Sequence, residues 1–253
     1  MAAPGRLYLV PAPLDFGCTS QAPLSDVMPT GTLQVAARLS HWICENAKST
    51  RAYLKRVNEL HPLAGTIQEI ELQELPREVH KKGDHAGGFD ARPLLAPALE
   101  GHDIGLVSEA GMPAIADPGS SVVRAAHDLG LQVVPLVGPA SLLLALAAAG
   151  LNGQNFAFVG YLPQQPAPRT QRIRDLEALA LRTGQTQSFI ETPYRNTALW
   201  QALLESLKPT TRLAVATGLT LPQAQVRSRT IAQWKKEAGG PSPDTPAVFL
   251  IGA

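Results

Sequence analysis

Short apolar runs alternate with amphipathic stretches along the first half of the chain. Leu7–Pro11 is continuously apolar, as a buried parallel strand is, and Ile104–Ser108 indicates a further strand. Lys48–Leu60 and Ser120–Leu129 repeat apolar residues every three or four positions, which predicts amphipathic helices. This alternation of strands and helices predicts an α/β domain with a mainly parallel sheet.

Three other segments do not follow this alternation of short apolar runs and amphipathic stretches. Ile67–Leu72 alternates apolar and polar residues, which predicts a strand with one wetter face. Pro76–Pro93 shows no periodicity and contains several glycines, including Gly87, so it predicts a mobile polar loop. Ala140–Ala149 is apolar on every side, and we therefore expect a helix that is buried between two domains.

The second half of the chain predicts a different sheet. Thr170 is placed to cap a helix that runs to Arg182. The last strands are joined by short connections, so the sheet should be mixed. We therefore expect an N-terminal α/β domain over residues 1–137 and a C-terminal α/β domain with a mixed sheet over residues 138–253. The strands expected in the second domain are Phe156–Leu162, Ser188–Glu191, Arg212–Thr217, Gln225–Arg229 and Ala247–Ile251.

Composition narrows the class of protein. With 253 residues, 45% hydrophobic and 17% charged, the chain can bury a real core. The net charge of +1 argues against a strongly basic nucleic-acid binder but permits a local basic patch. Cys18 and Cys44 make no disulfide framework, the start lacks a signal-peptide pattern, and Leu142–Ala149 is too short to span a bilayer. We expect a cytoplasmic protein without a membrane partner.

Two glycine–proline turns are the most informative motifs. Leu106–Gly119 and Val133–Ser141 each begin as an apolar run, break at glycine and proline, and continue into a helical stretch. A strand, a tight turn and a helix place backbone N–H groups around a ligand at the carboxyl edge of a parallel sheet. Two such turns in succession predict a ligand site.

Several other kinds of site have no support in the sequence. There is no Gly-x-Gly-x-x-Gly after a strand, no Walker-type glycine loop and no Gly-x-Ser-x-Gly elbow. His41 and Cys44 are three residues apart, but no second pair of ligands accompanies them. We therefore expect no metal site.

Acidic residues stand at the ends of predicted strands. Glu45, Glu109 and Glu191 each follow a strand, at the edge where ligands bind, although a solvated loop charge is an equally good reading. Asp117 lies in the first glycine–proline turn, where it could cap the following helix or contact a ligand.

A basic stripe follows one face of the predicted helix Lys48–Leu60. Its members are Lys48, Arg51 and Lys55, three and four residues apart. Such a stripe is either a solvated helix face or a contact with phosphate.

Together these blocks resemble the tetrapyrrole methylase superfamily of S-adenosylmethionine-dependent methyltransferases, and within it the branch of ribosomal RNA small-subunit cytidine 2′-O-methyltransferases. Val-Ser-Glu-Ala-Gly-Met-Pro-Ala-Ile-Ala-Asp-Pro-Gly, ending at Gly119, is similar to that branch's Ser-Asp-Ala-Gly-Thr-Pro-x-Ile-Ser-Asp-Pro-Gly. The likeness continues in Val134–Ser141, Phe156–Pro163, Ile190–Arg195 and Thr245–Gly252.

The resemblance implies two α/β domains with a cofactor cleft between them, a homodimer, and S-adenosylmethionine as the methyl donor. If the acceptor is a hydroxyl, a nearby carboxylate would help to remove its proton, and Glu45 and Glu191 are the candidates. Lys48, Arg51 and Lys55 are the candidates for substrate binding. The cofactor-binding residues that it implies are Pro13, Ser108, Gly111, Met112, Ala114, Asp117, Gly138, Ser141, Thr192, Pro193, Tyr194, Thr245 and Pro246.

The chain departs from the RNA branch on the substrate side. Pro11–Gly17 lacks the branch's Gly-Asn pair, and Tyr194 stands in place of a histidine. In Cys44–Arg51 the branch has Ala-Glu-Asp-Thr-Arg-His-Thr-Arg, of which only the Glu and the final Thr-Arg are kept. Three hypotheses follow: a methyltransferase acting on RNA, one acting on a tetrapyrrole or other small molecule, and a degenerate paralogue that only binds the cofactor.

Overall fold

The computed structural model describes residues 3–85, 88–237 and 239–253, with no side-chain description for residues 80–82. These residues form two compact units. The first unit comprises Met1–Phe16 and Ala22–Pro139, and the second comprises Gly17–Gln21 and Ala140–Ala253. The main division therefore lies two residues beyond the predicted domain boundary.

The first unit is built on a parallel sheet of five strands in the order β3-β2-β4-β1-β5. Because all pairs in it are parallel, the carboxyl ends of the strands meet at one edge. The strands are β1 Leu7–Leu9, β2 His41–Cys44, β3 Glu71–Glu74, β4 Ile104–Val107 and β5 Val133–Pro135.

Helices cover both faces of this sheet. Tyr8 and Trp42 point to the face packed by α2 and α3, whereas Leu7 and Ile43 point to the face packed by α5 and α6. Because successive side chains along each strand point to opposite faces of the sheet, the hydrophobic core is divided into two layers, one on each face. The helices are α1 Leu24–Val27, α2 Thr30–Arg38, α3 Ala47–Leu60, α4 Arg77–Lys82, α5 Ala96–Leu99 and α6 Ser120–Asp128, with a 3₁₀ turn at Arg92–Leu95.

The second unit has a mixed sheet in the order β6-β7-β10-β8-β9. Only β6 and β7 pair in parallel; the other pairs are antiparallel. Strands and helices are β6 Phe156–Tyr161, β7 Thr186–Glu191, β8 Arg212–Thr217, β9 Gln225–Thr230, β10 Ala247–Gly252, α7 Ser141–Ala149, α8 Pro166–Thr183, α9 Asn196–Ser206 and α10 Ile231–Trp234, with a 3₁₀ turn at Pro193–Arg195. The predicted fold class, an α/β unit with a parallel sheet followed by one with a mixed sheet, is confirmed.

Opposite faces of the mixed sheet receive different helices. Ala145 and Ala149 of α7 pack against one face, together with Ala214 of β8. The other face is covered by α8, α9 and α10, which bury Phe189 and Phe249. The small side chains on the α7 side bring that helix close to the sheet.

The strand and the loop predicted between residues 67 and 93 are wrong in part. The strand lies at Glu71–Glu74, since Glu69 Oε2 accepts hydrogen bonds from the amide (2.7 Å) and hydroxyl (2.9 Å) of Thr66 and closes a turn there. Helix α4 occupies much of the expected loop, because Pro76 starts it and Gly83, with φ of 69°, ends it. Gly87 lies outside the described residues.

Two helix predictions also need correction. Helix α8 begins at Pro166, with Gln165 as its N-cap, because proline fits the first turn of a helix; Thr170 therefore lies inside it. Helix α7 is not buried on all sides, since Leu143 is 54% exposed and Leu144 41% exposed. Among the described residues, no helix is both long and apolar enough to cross a bilayer.

Candidate functional site

The carboxyl edge of the first unit's sheet gathers the segments that the sequence singled out. The loop after β1 and the loop after β4 are joined by two backbone hydrogen bonds, Ala12 N to Gly111 O and Gly111 N to Ala12 O, both 2.9 Å. Pro13 therefore lies beside the turn that contains Met112. Ser108 is buried where β4 ends.

Gly138 brings the loop after β5 against the same edge. A Cβ atom at this position would lie 2.4 Å from Pro11 Cβ, so only glycine permits the approach. Thr32 Oγ1 donates a 2.6 Å hydrogen bond to the carbonyl of Val137 and holds this loop from α2. The loops after β1, β4 and β5 are thus packed tightly together.

The turn after β4 has an unusual backbone. Gly111 has φ of 74°, and Ala114 and Ala116, each with φ of 64°, adopt the left-handed conformation although they carry a Cβ. Each such alanine costs about 1 kcal/mol or more, which the surrounding structure must offset. Strained backbone of this kind is concentrated at ligand sites and supports the functional reading of the turn.

Three carboxylates lie near one another at this edge. Glu45 Oε2 accepts a 3.4 Å hydrogen bond from the amide of Glu109. Burial, together with the negative charges of Glu45 and Glu109, raises the pKa of Asp117 to about 7. The Asp117 side chain makes no hydrogen bond to any residue that the structure describes, so it does not cap α6. A pKa near 7 means that both the protonated and the ionised form of Asp117 are present at neutral pH.

Asp84 caps α6 instead, and the sequence analysis missed it. Its carboxylate, in a residue that is 5% exposed, accepts hydrogen bonds from the amides of Gly119 (2.9 Å) and Ser121 (2.8 Å). The hydroxyls of Ser120 and Ser121 also donate to it, at 2.7 and 2.6 Å. Burial opposes ionisation of Asp84, but these hydrogen bonds outweigh it and lower its pKa to about 2. No local signal shows that this residue meets the turn.

Helix α3 begins at the same edge and displays the basic stripe. Asn46 Oδ1 accepts from the amides of Lys48 (2.9 Å) and Ser49 (3.1 Å) and caps the helix, a role that the branch's aspartate would also perform. Lys48, Arg51 and Lys55 are all exposed, and within the described part of the chain none of them forms a salt bridge. The stripe is therefore free to meet an anion.

Two of the later segments that carry the resemblance, Ile190–Arg195 and Thr245–Gly252, meet at one edge of the second unit's sheet. Glu191 is paired across the sheet with Ala247, which in turn pairs with Thr217. The amide of Gly218 donates to the carbonyl of Pro246 at 3.1 Å, and Asn196 Nδ2 donates to the carbonyl of Thr245 at 2.9 Å. Glu191, Thr245 and Pro246 thus lie along a single edge.

Glu191 itself is held by its neighbours. Its Oε1 accepts from the amide of Thr192 at 2.8 Å and from Arg195 Nε at 2.8 Å and Nη2 at 2.7 Å. These contacts fix the turn that contains Pro193 and Tyr194, and Tyr194 is 73% exposed. The pairing with Arg195 favours a structural role for Glu191 over proton transfer.

Ser141 opens helix α7. The amides of Leu143 and Leu144 both donate to the carbonyl of Ala140, but those of Ser141 and Leu142 have no acceptor among the described residues. Free amides at the start of a helix bind anions such as a carboxylate.

The structure divides the predicted site residues into two sets, one in each unit; Ser141 belongs to the second unit at the start of α7, with no described contact to the other members of its set. Among the described residues, no group of histidine, cysteine and acidic side chains could hold a metal ion. The first set, in the first unit, comprises Pro13, Glu45, Ser108, Gly111, Met112, Ala114, Asp117 and Gly138; the second, in the second unit, comprises Ser141, Glu191, Thr192, Pro193, Tyr194, Thr245 and Pro246.

Comparison with curated proteins finds relatives named ribosomal RNA small subunit methyltransferase I. The chain is 30% identical over 226 residues to ribosomal RNA small subunit methyltransferase I of Mesorhizobium japonicum, covering 89% of this chain and 67% of that protein. It is 37% identical over 203 residues to the protein of the same name from Bacillus subtilis, covering 80% and 60%. With the Escherichia coli O157:H7 protein of that name the match covers 40% of the relative's length. The chain thus spans about two thirds or less of these relatives.

Solved structures show the same fold. Uroporphyrin-III-C-methyltransferase from Thermus thermophilus superposes with a TM-score of 0.52 at 21% identity, covering 98% of this chain and 94% of that one. The methyltransferase CobJ superposes with a TM-score of 0.58 at 17% identity and the same coverage. A profile of the tetrapyrrole (corrin/porphyrin) methylases matches residues 33–234. The resemblance stated from the motifs is confirmed, and the chain belongs to the tetrapyrrole (corrin/porphyrin) methylase family of methyltransferases.

Proposed function

We propose that this protein transfers a methyl group from S-adenosylmethionine to a ribose 2′-hydroxyl of ribosomal RNA. The observation that supports it most is the set of tightly packed loops at the carboxyl edge of the first sheet, in a chain whose relatives are named ribosomal RNA small subunit methyltransferase I. Since the chain spans only part of these relatives, their substrate is a proposal here.

The residues present fit S-adenosylmethionine. At Gly138 a Cβ atom would lie 2.4 Å from Pro11 Cβ, and at Gly111 it would lie 3.1 Å from Leu14 Cδ2, so glycine keeps both turns free of side chains at the edge where ligands bind in such sheets. The amides of Ser141 and Leu142, which have no acceptor in the described part of the chain, suit a carboxylate such as that of a methionine moiety. In this proposal the two sets of residues defined above hold the cofactor; that its cleft lies between the domains stays a prediction.

The chain's own groups supply positioning and a base. When bound, S-adenosylmethionine would supply an electrophilic methyl group, whose bond to sulfur breaks as the bond to the acceptor oxygen forms, so that the neutral thioether S-adenosylhomocysteine leaves. The acceptor hydroxyl loses its proton as the new C–O bond forms, and Asp117, with Glu45 beside it, receives that proton because its pKa lies near neutrality. The tight loops restrict the orientation of the reactants, which lowers the entropic part of the barrier.

The basic stripe supports an RNA acceptor. Lys48, Arg51 and Lys55 are exposed and lack salt-bridge partners among the described residues, as phosphate-binding side chains are before they meet their ligand. They project from α3, whose cap, Asn46, directly follows Glu45, so the stripe lies on the helix that begins next to the carboxylate beside the candidate base.

A labelled-methyl assay tests the proposal. The protein is incubated with methyl-labelled S-adenosylmethionine and either small-subunit ribosomal RNA or a uroporphyrinogen substrate, and the label is located by nuclease digestion. Methylation of a ribose 2′-hydroxyl is the expected result. Labelling of the tetrapyrrole alone would establish the small-molecule hypothesis, and binding of the cofactor by calorimetry without any transfer would indicate the degenerate paralogue.

We also propose that the protein acts as a cytoplasmic homodimer. The exposed apolar side of α7, with Leu143 and Leu144, supports a subunit interface because water-facing leucines at this density are costly. The cytoplasmic location follows from the proposed ribosomal RNA substrate.

A further inference from the structure

The turn after β7 presents an aromatic ring to solvent. Tyr194 lies in the 3₁₀ turn Pro193–Arg195 and is 73% exposed, whereas Pro193 and Arg195 on either side of it are half-buried. Its hydroxyl makes no hydrogen bond to any residue that the structure describes. Neither burial nor a hydrogen bond within the second unit therefore accounts for an aromatic side chain at this position.

The turn that carries this ring is held in place. The amide of Arg195 donates to the carbonyl of Thr192 at 2.9 Å and closes the turn. Immediately after it, Asn196 is fully buried, and its Nδ2 donates to the carbonyl of Thr245 at 2.9 Å. Because the backbone that carries Tyr194 is already ordered, a ligand that contacts the ring loses little further entropy in ordering it.

A guanidinium supports the ring from one side. Arg195 Cζ lies over the Tyr194 ring, 5.3 Å from its centroid, which is within the range of a cation–π contact. Arg195 is fixed in turn by Glu191, whose side chain is 1% exposed and whose Oε1 accepts from Nε at 2.8 Å and from Nη2 at 2.7 Å. A buried carboxylate, a guanidinium and an aromatic ring thus form three successive layers. The guanidinium covers one face of Tyr194 and leaves the other face to solvent.

A flat, solvent-facing aromatic ring is suited to stack on another flat ring. Offset stacking of two aromatic rings is favourable, and nucleobases stack on aromatic side chains whatever their sequence because every base has a π-face. Unpaired bases of RNA are recognised in this way by phenylalanine, tyrosine, tryptophan and histidine. Since the RNA branch has a histidine where this chain has Tyr194, the replacement keeps a ring that can stack on a base.

The charge of the second unit favours RNA as the source of that base. Its main segment, residues 140–253, contains 11 lysines and arginines and 6 aspartates and glutamates, a formal charge of +5; the rest of the chain contains 11 and 15, a charge of −4. Arg172, Arg174 and Arg182 of α8 are exposed, and none of them forms a salt bridge with a described residue. Such an asymmetry between the two halves of a chain attracts an extended polyanion to the positive half.

We propose that the ring of Tyr194 stacks on an unpaired nucleobase of the RNA on which the protein acts. The inference rests on the proposed RNA substrate and adds to it a base contact in the second unit. It assigns the ring of Tyr194 to the RNA, while the main chain of residues 192–194 keeps its proposed contact with the cofactor. Stacking of one base on an aromatic side chain contributes roughly 5- to 150-fold in affinity.

Fluorescence anisotropy with two labelled probes tests the contact. One probe is a short single-stranded RNA of mixed sequence, and the other is an abasic oligomer of the same length, which carries the same phosphates but no bases. Tyr194→Ala removes the ring, and Tyr194→Phe keeps the ring without its hydroxyl. Phe156→Ala is the matched control, because Phe156 is a 44% exposed aromatic residue of the same unit that pairs with Thr186, at the opposite end of β7 from Glu191.

We expect the wild-type, Tyr194→Phe and Phe156→Ala proteins to bind RNA on the order of tenfold more tightly than the abasic oligomer, and Tyr194→Ala to lose most of this preference. Because the ring carries no charge, the dependence of log affinity on log salt should be the same in Tyr194→Ala as in the wild type. The affinity of Tyr194→Ala for S-adenosylmethionine, measured by calorimetry, should also be unchanged.

Two results would overturn the inference even if RNA is methylated. The first is a wild-type protein without a preference for bases, or a preference that persists in Tyr194→Ala. The second is an equal loss of S-adenosylmethionine affinity in Tyr194→Ala, which would assign the ring to the cofactor. A base preference that depends on Tyr194, without methyl transfer to RNA, would support the stacking contact and contradict the proposed function.

Discussion

Asp84 and Asp117 lie in the same unit, but their pKa values move in opposite directions. Asp84 accepts four hydrogen bonds at the start of α6, whereas Asp117 has only burial and two negative neighbours, Glu45 and Glu109. Hydrogen bonds to the ionised form favour it, while burial and like charges disfavour it. The first carboxylate therefore stabilises the fold, and the second is suited to chemistry.

Replacement of Asp84 by alanine should lower the free energy of unfolding by about 2–3 kcal/mol at pH 7, because several donors at the α6 N-terminus would then lack a charged acceptor. Folding lowers the pKa of Asp84 from 3.8 to about 2. The contribution of the ionised Asp84 to the free energy of unfolding is therefore complete above pH 4 and is lost as the pH falls through 2. The urea midpoints of wild type and variant should differ at pH 7 and converge near pH 2.

Asp90→Ala, at an exposed pair with Arg92, is the control and should change the free energy of unfolding little. An equal loss of stability in both variants would contradict the role of Asp84.

Asp117 should give the reaction a pH dependence. If it takes the acceptor's proton, the methyl-transfer rate rises as the pH increases through about 7, and Asp117→Asn loses both this rise and on the order of 10²–10⁴ in rate. Because folding raises the pKa of Asp117, the native state loses stability as the pH rises from about 4 through 7. Asp117→Asn should therefore unfold at higher urea concentration than wild type at pH 8. A variant with an unchanged pH–rate profile would exclude Asp117 as the base.

Helix α3 connects Glu45, the carboxylate beside the candidate base, with the basic stripe. Its cap, Asn46, follows Glu45 directly, and its exposed face presents Lys48, Arg51 and Lys55 at one side of the same helix. A rigid, capped helix holds these charges at fixed spacing, which is what recognition of a phosphate backbone requires.

Neutralising the stripe should weaken RNA binding in a way that depends on salt. In Lys48→Gln/Arg51→Gln/Lys55→Gln, the dependence of log affinity on log salt should flatten by about one unit for each phosphate that the protein no longer neutralises, as measured by filter binding or anisotropy. Lys235→Gln/Lys236→Gln removes exposed charges after α10 and should leave the slope nearly unchanged. Identical slopes in wild type and stripe variant would show that the stripe is only a solvated helix face.

At the scale of the whole molecule, the apolar exposed side of α7 is the surface at which we propose that two copies of the chain associate. The helix packs Ala145 and Ala149 onto the mixed sheet and leaves Leu143 and Leu144 in water. A partly exposed leucine pair on an otherwise apolar helix is typical of a subunit interface.

Leu143→Glu should convert a homodimer into monomers, because a carboxylate would be buried without a partner in the interface. Sedimentation velocity measures the change, and Leu181→Glu, at a leucine that is 39% exposed on α8, serves as the matched control. A wild-type protein that sediments as a monomer, or a Leu143→Glu variant that remains dimeric, would contradict the proposed interface.

Most of the elements could be predicted because their signals are local. Residues close in the chain produce the helical periodicity of α3, the apolar runs of β1 and β4, and the glycine–proline turns. The family could be identified for the same reason. Prediction failed at α4, where the glycines and the lack of periodicity indicated a loop, and at the start of α8, where Thr170 indicated a cap; in the structure a proline stands at both helix starts.

The sequence by itself determined the two α/β sheets, the turns that mark the ligand edge and the resemblance to the methylases, since backbone propensity and spacing act over a few residues. Only the tertiary structure decided which groups meet across long separations. Asp84 reaches Gly119 from 35 residues away, and Asn196 holds Thr245 from 49 residues away. The pKa of Asp117 arises from such contacts, because burial and charge proximity depend on the folded packing and not on spacing along the chain.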